Sequence, residues 1–171
     1  MLNYNEFGTG PTLLIAHGLY GSARNWGVIA KRLSDTRRVV VVDMRNHGDS
    51  PRFNTHSYPD MANDLAEVIE HIGAPVDVLG HSMGGKASMA LALTRPELVR
   101  SLISADIAPV SYTHSQIHFI EAMRAVDLNT VTRRAEASEQ LEAQGVSAEL
   151  QSFFTQSIDI SDKVWKLNFD A

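Results

Sequence analysis

Arg38-Val39-Val40-Val41-Val42 is a continuous apolar run with no polar alternation. A half-buried strand alternates, so consecutive valines ask for a strand covered on both faces. Thr12 to Ala16, Val76 to Leu79 and Val99 to Ala105 have the same texture, and Leu2 to Tyr4 is a candidate edge strand. Helical spacing fills the intervals. Trp26, Ile29, Ala30 and Leu33 recur on one face, as do Met61, Leu65, Val68 and Ile72 after Pro59-Asp60. Met83 to Leu93 is the next helix, closed by Thr94-Arg95-Pro96. Strand and helix alternate, which predicts an α/β fold with a mostly parallel sheet and flanking helices. After Pro109 the texture becomes purely helical, over Ser115 to Val126, Thr130 to Ala143 and Ser147 to Ser157, with Gly145 as the break between the last two. We expect a core over residues 1–109 and a helical lid or cap over 110–171. Sites in such sheets lie at the strand carboxyl ends, where appended helices cover them. The alternative is that these helices complete the core.

Composition narrows the function classes. The 171 residues carry 44% hydrophobic and 20% charged side chains, which suits one globular domain. A net charge of −5 does not suggest a nucleic-acid partner. There is no cysteine, so disulfides and thiolate metal sites are excluded. No metal or cofactor is expected. The N-terminus lacks a basic segment followed by an apolar one, and no run reaches membrane-spanning length. The expected location is cytoplasmic.

Gly80-His81-Ser82-Met83-Gly84 has the form G-x-S-x-G, placed after an expected strand and before an expected helix. Such a turn thrusts the serine hydroxyl above the sheet. The outgoing helix crosses close to the incoming strand, so only small residues fit two before and two after the serine. This makes Ser82 a candidate nucleophile. An acyl-transfer site also needs two N–H donors for the developing oxyanion. Met83, directly after the serine, should give one. Leu19, in His17-Gly18-Leu19-Tyr20-Gly21-Ser22 after the first long strand, should give the other. Asp106 ends the strand that follows the serine's strand, so it falls on the same rim. From position alone it is either a triad acid or a cap on the turn at Ile107-Ala108-Pro109.

Together these segments resemble the α/β-hydrolase superfamily. Within it they are most similar to the small-esterase group of the bacterial esterase YbfF and the abhydrolase-domain protein 11 proteins. Val42-Asp43-Met44-Arg45-Asn46-His47-Gly48-Asp49-Ser50, Gly80 to Lys86 and Asp106-Ile107-Ala108-Pro109 carry the narrower match, which runs from about Pro11 through Trp165-Lys166-Leu167-Asn168. The resemblance implies hydrolysis of a small acyl ester or thioester, with Asp106 as the acid. Trp165 is a candidate for lining the acyl pocket, and Arg45 and Lys86 for bracing the site.

The resemblance also implies a catalytic histidine well downstream, after the lid and two more strands, so the chain is expected to be a truncated form without its usual base. Topology sorts the seven histidines present. His71 falls on the amino-end face, His81 should point away from the serine hydroxyl, and His56 belongs to a surface loop. His17 and His47 are expected to brace loops, which leaves His114 and His118 as the candidates for a substitute base. In the family the strand Val99 to Ala105 is interior. Here it should be an exposed apolar edge that pairs through a homodimer, a swapped segment or aggregation.

Two rival readings remain. Gly80 to Lys86 also reads G-x-x-x-x-G-K, and Val39 to Asp43 resembles a Walker B strand, so a nucleotide hydrolase is conceivable. Ala87 in place of Ser or Thr, and the reversed order of the two motifs, count against it. The other rival is a non-catalytic hydrolase remnant that binds an acyl ligand or a partner.

Overall fold

The computed structural model describes residues 1–171 apart from His114. The chain divides into two compact units, Met1–Val110 with Asp170–Ala171, and Ser111–Phe169.

The first unit is built on a five-stranded sheet in the order β1-β3-β2-β4-β5. The strands are β1 (Tyr4–Phe7), β2 (Thr12–Ala16), β3 (Arg38–Val42), β4 (Val76–His81) and β5 (Val99–Ala105). The four long strands run parallel, and β1 is antiparallel to β3. The edge strand expected at Leu2 to Tyr4 forms instead at Tyr4–Phe7. Leu2 goes to the core at 3% exposure, whereas Glu6 on the edge forms a two-pronged ion pair with Arg38 at 2.9 and 2.8 Å. Charged pairing suits an edge, and this is what apolarity alone misplaced.

The valine run behaves as its lack of alternation required. Val40 and Val42 join Leu14, Ala16 and Val78 in one core beneath α2 (Tyr58–Ile72) and α3 (Met83–Thr94). Val39 and Val41 join Leu13 and Ile15 in a second core on the other face, with Ala30 of α1 (Gly27–Leu33) and Trp26. Each strand residue pair thus feeds two layers. Helix α2 starts earlier than expected, at Tyr58, because Ser57 caps it and accepts from the Asp60 N–H at 3.3 Å. Pro59 is tolerated in the first turn, where its missing N–H costs nothing.

The register positions the site. Ala16 lies opposite both Val42 and Gly80, and His81 lies opposite Ala105. The parallel strands therefore end together, and His17, Asp43, Ser82 and Asp106 leave the sheet on one rim.

The second unit holds α4 (Ile117–Arg124), α5 (Arg134–Ala143), α6 (Ala148–Thr155) and a two-stranded ribbon, β6 (Ile158–Asp159) with β7 (Val164–Trp165). Helix α5 starts later than periodicity suggested. The Glu136 carboxylate accepts from the N–H groups of Thr132 and Arg133 at 2.6 and 3.1 Å, which fixes the entry there. Gly145 does end α5. It sits at φ +79°, its N–H reaches the Glu142 carbonyl at 2.8 Å, and the Val146 N–H reaches Leu141 at 3.1 Å. Those paired bonds are a Schellman stop, which needs a left-handed residue. Among the described residues no helix is long and apolar enough to cross a membrane, and no group of three acidic or histidine side chains is arranged to hold a metal ion.

Candidate active site

Ser82 is the residue between β4 and α3, and its backbone is unusual, at φ 50° and ψ −116°. A non-glycine residue there carries strain of about 1–3 kcal/mol, held only because its surroundings dictate it. The surroundings are visible atom by atom. A methyl group at Gly80 would lie 2.5 Å from the Gly84 carbonyl oxygen, and one at Gly84 would lie 2.4 Å from the oxygen of Ala16. Both contacts are with backbone, so no larger side chain fits. The Ser82 N–H donates to the Ala105 carbonyl at 3.0 Å, which ties the serine to the residue before Asp106.

Two loops face this turn. The loop after β2 carries Gly18, where an added Cβ would come within 3.2 Å of the Ser82 Cβ and 2.8 Å of the His81 ring. Leu19 follows, half-buried, and Met83 is the first residue of α3. The first N–H groups of a helix have no partner within it. Among the described residues no hydrogen bond engages the N–H of either Leu19 or Met83. Asp106 stands on the same rim at φ 55°, with its side chain 91% exposed and its carboxylate 3.9 Å from the His81 Nε2.

The loop after β3 is held by polar contacts that the sequence did not disclose. Asp43 is 4% exposed and accepts from the N–H of Ala23 at 2.7 Å, the Asn3 amide at 2.9 Å and the N–H of Asp49 at 3.0 Å. Arg45, 6% exposed, grips Asp64 through two nitrogens at 2.5 and 2.9 Å and stacks over Phe53 at 4.5 Å. Lys86 donates to the Val110 carbonyl at 2.5 Å. These contacts weigh against phosphate chemistry. The Walker-B-like Asp43 spends both oxygens on protein donors, and the Lys86 amine is turned to a backbone oxygen.

The histidines sort as follows. His17 and His47 are 1% and 3% exposed and engage backbone through both ring nitrogens. Burial pulls the His17 pKa down to about 4 and that of His47 well below the usual value. His56 corrects its surface-loop expectation. It is half-buried, with Nδ1 facing the Asn46 amide and Nε2 facing the Met83 sulfur, both at 3.3 Å. His81 stacks against Trp26, with ring centroids 6.0 Å apart. His118 belongs to the second unit and stacks on Phe119 at 4.0 Å, while the other candidate substitute base, His114, lies outside the described residues. Trp165, also in the second unit, is half-buried, and its enclosed indole nitrogen has no partner among the described residues.

Fold and rim geometry define a class, and comparison names it. Residues 11–170 match the model of the alpha/beta hydrolase fold family, so the chain belongs to that family. It is 38% identical to the sn-1-specific diacylglycerol lipase ABHD11 of Mus musculus, covering 99% of this chain and 60% of that protein. It is 36% identical to the esterase YbfF of Escherichia coli (strain K12), covering 96% and 64%. A solved structure described as a marine microorganism esterase superposes with a TM-score of 0.91 at 38% identity, covering 99% of this chain and 69% of that one. The chain thus spans about 60% of the length of these curated relatives.

Proposed function

We propose that this chain carries the nucleophile, acid and oxyanion parts of a site that cleaves small acyl esters or thioesters. In this reading Ser82 Oγ attacks the acyl carbonyl, its proton passes by way of solvent to the alcohol or thiol that leaves as the tetrahedral intermediate collapses, and water then cleaves the acyl-serine ester to the free acid. The N–H groups of Leu19 and Met83 receive the oxyanion, and Asp106 is the triad acid. The observation that carries the reading is the strained Ser82 backbone at the start of α3, with Gly18 pressed against it. Strain of this kind persists where it is used. The names of the relatives, esterase and diacylglycerol lipase, point to the same chemistry. His17, His47 and His56 are given no proton-transfer role, because their ring nitrogens already face protein partners.

The test is hydrolysis of p-nitrophenyl butyrate by the purified chain and by Ser82→Ala. The native chain should be measurably faster than Ser82→Ala; the oxyanion donors are common to both chains, so the difference reads attack by Ser82 itself. Equal rates leave the second reading, an acyl-binding protein without catalysis. That reading is favoured by the same observation on His17, His47 and His56.

We further propose that β5 pairs with a second copy. It stands at one end of the strand order, and Ile103 on it is 52% exposed. The edge is less apolar than its sequence suggested, since Arg100, Ser101 and Ser104 are exposed beside Ile103. Light scattering on the eluting protein should give twice the chain mass, 37.6 kDa against the monomer's 18.8 kDa. A monomer at all concentrations rules the pairing out.

A further inference from the structure

Both peptide planes that flank Leu19 are held by buried histidines, one from each of two loops. We infer that His17, with His47 as its counterpart, is a positioning residue that aims the Leu19 N–H at the reaction centre. The inference rests on the reading of Leu19 as an oxyanion donor.

The geometry is that of a planar trans peptide, in which the N–H points opposite to the C=O. The Gly18 carbonyl belongs to the same plane as the Leu19 N–H. It faces the His17 Nδ1 at 2.8 Å and accepts from the Gly21 N–H at 3.1 Å. With the oxygen tied on one side, the Leu19 N–H must emerge on the other. The His17 tautomer follows from its second contact. The Met44 N–H donates to Nε2 at 2.9 Å, so Nε2 is the acceptor and Nδ1 carries the proton to Gly18.

His47 closes the arrangement from the opposite loop. The Tyr20 N–H donates to its Nε2 at 3.1 Å, which fixes the Leu19–Tyr20 plane. Its Nδ1 then donates to the Arg45 carbonyl at 2.9 Å. Each histidine therefore binds one group of its own loop and one of its neighbour's, and the rings meet edge to face at 5.2 Å. Tyr20, at φ 64°, gives the turn its left-handed step. The plane so fixed lies against the nucleophile, as the 3.2 Å approach of a Gly18 Cβ to the Ser82 Cβ shows. An oxyanion donor acts by standing in place before charge develops, so orienting that plane is a direct lever on its strength.

The test uses butylboronic acid, which forms a tetrahedral adduct with a serine hydroxyl and places an oxygen where the oxyanion would sit. The native chain should bind it, and Ser82→Ala should not. His17→Leu should bind roughly 10- to 100-fold more weakly, short of the ~10²–10³ typical of deleting a donor outright. His17→Asn should recover most of that loss, because its amide nitrogen can reach the Gly18 carbonyl from near the Nδ1 position. A role confined to stability does not predict that rescue in folded variants. A second measurement needs no variant. Imidazole nitrogen NMR of the native chain should show His17 protonated at Nδ1, and the Leu19 amide resonance should move when the boronate is added. Equal binding by native chain and Ser82→Ala sinks the oxyanion reading itself. Binding that depends on Ser82, but is unchanged in folded His17→Leu, overturns the positioning role alone. So does a His17 protonated at Nε2.

Discussion

Asp43→Ala is expected to cost about 3–4 kcal/mol of folding stability, a large share of the ~5–15 kcal/mol typical of a native domain. The reason is local. The carboxylate ties the segment before β1, the turn before α1 and the loop after β3 into one knot, through Asn3, Ala23 and Asp49. Its shape matters as well, since a Cβ at Gly48 would lie 2.3 Å from the Asp43 Cγ, so the loop wraps tightly over it. Alanine leaves the Ala23 N–H buried without an acceptor, and each such orphan costs about 1–3 kcal/mol. Urea unfolding should shift to a midpoint lower by roughly 1–2 M at an unchanged slope. Asp43→Asn separates shape from charge. It keeps the volume but brings an NH₂ against at least one donor, whichever way the amide turns. It should therefore lose about 1 kcal/mol or more. An Asn variant as stable as the native chain would mean that packing, not acceptor chemistry, explains the residue.

Asp43 also shows where sequence reading stops. The strands were legible because burial on both faces removes polar alternation, and Val39 to Val42 had none. The turn at Ser82 was legible because sterics dictate glycine at Gly80 and Gly84, whatever the rest of the chain does. The bracing roles of His17 and His47 were legible from their place after strands. Their partners were not, because each bonds to backbone of the other loop, 27 residues away in sequence. Asp43 drew notice only within the disfavoured nucleotide-hydrolase reading, because one letter after a strand does not say which donors surround it. His56 read as surface because its loop is polar, yet that loop folds back until the ring faces Met83 at 3.3 Å. The edge strand slipped from Leu2 to Tyr4–Phe7 because apolarity marks burial, and an edge is set by pairing. In each case local sterics were readable, and long-range polar pairing was not.

The same histidines make acid a selective stress. His17 is buried and neutral, and its pKa falls to about 4, first through desolvation and then through the repulsion of His81 and His56, against the opposing Gly18 bond and the Asp43 charge. His47 is shifted the same way by burial, His17, His56 and Arg52, with the Arg45 carbonyl opposing. In the unfolded chain both regain the ordinary value near ~6.5. The unfolded state therefore binds more protons between these values, and stability must rise with pH across that window. The contribution is fully present above pH ~6.5 and is lost as pH falls toward 4. A shift of this size is worth on the order of 3 kcal/mol for His17, with His47 adding in the same direction. Carboxylates do not mimic this. Asp77, held down by Arg100, Ser101 and Arg37, gives up its share from about pH 5 downward, as the unfolded carboxylate takes up its proton, and so adds nothing to a fall between pH 7 and pH 5. Urea unfolding at pH 7, 6, 5 and 4.5 should thus show a steady fall that begins while the acidic side chains are still charged. In folded His17→Asn, which has no imidazole there, the fall should be visibly shallower. Stability that stays level from pH 7 to pH 5 contradicts the account. Protonating His17 would place a second N–H against the Met44 donor, so the loop that carries Leu19 should loosen first as the acid limb is entered.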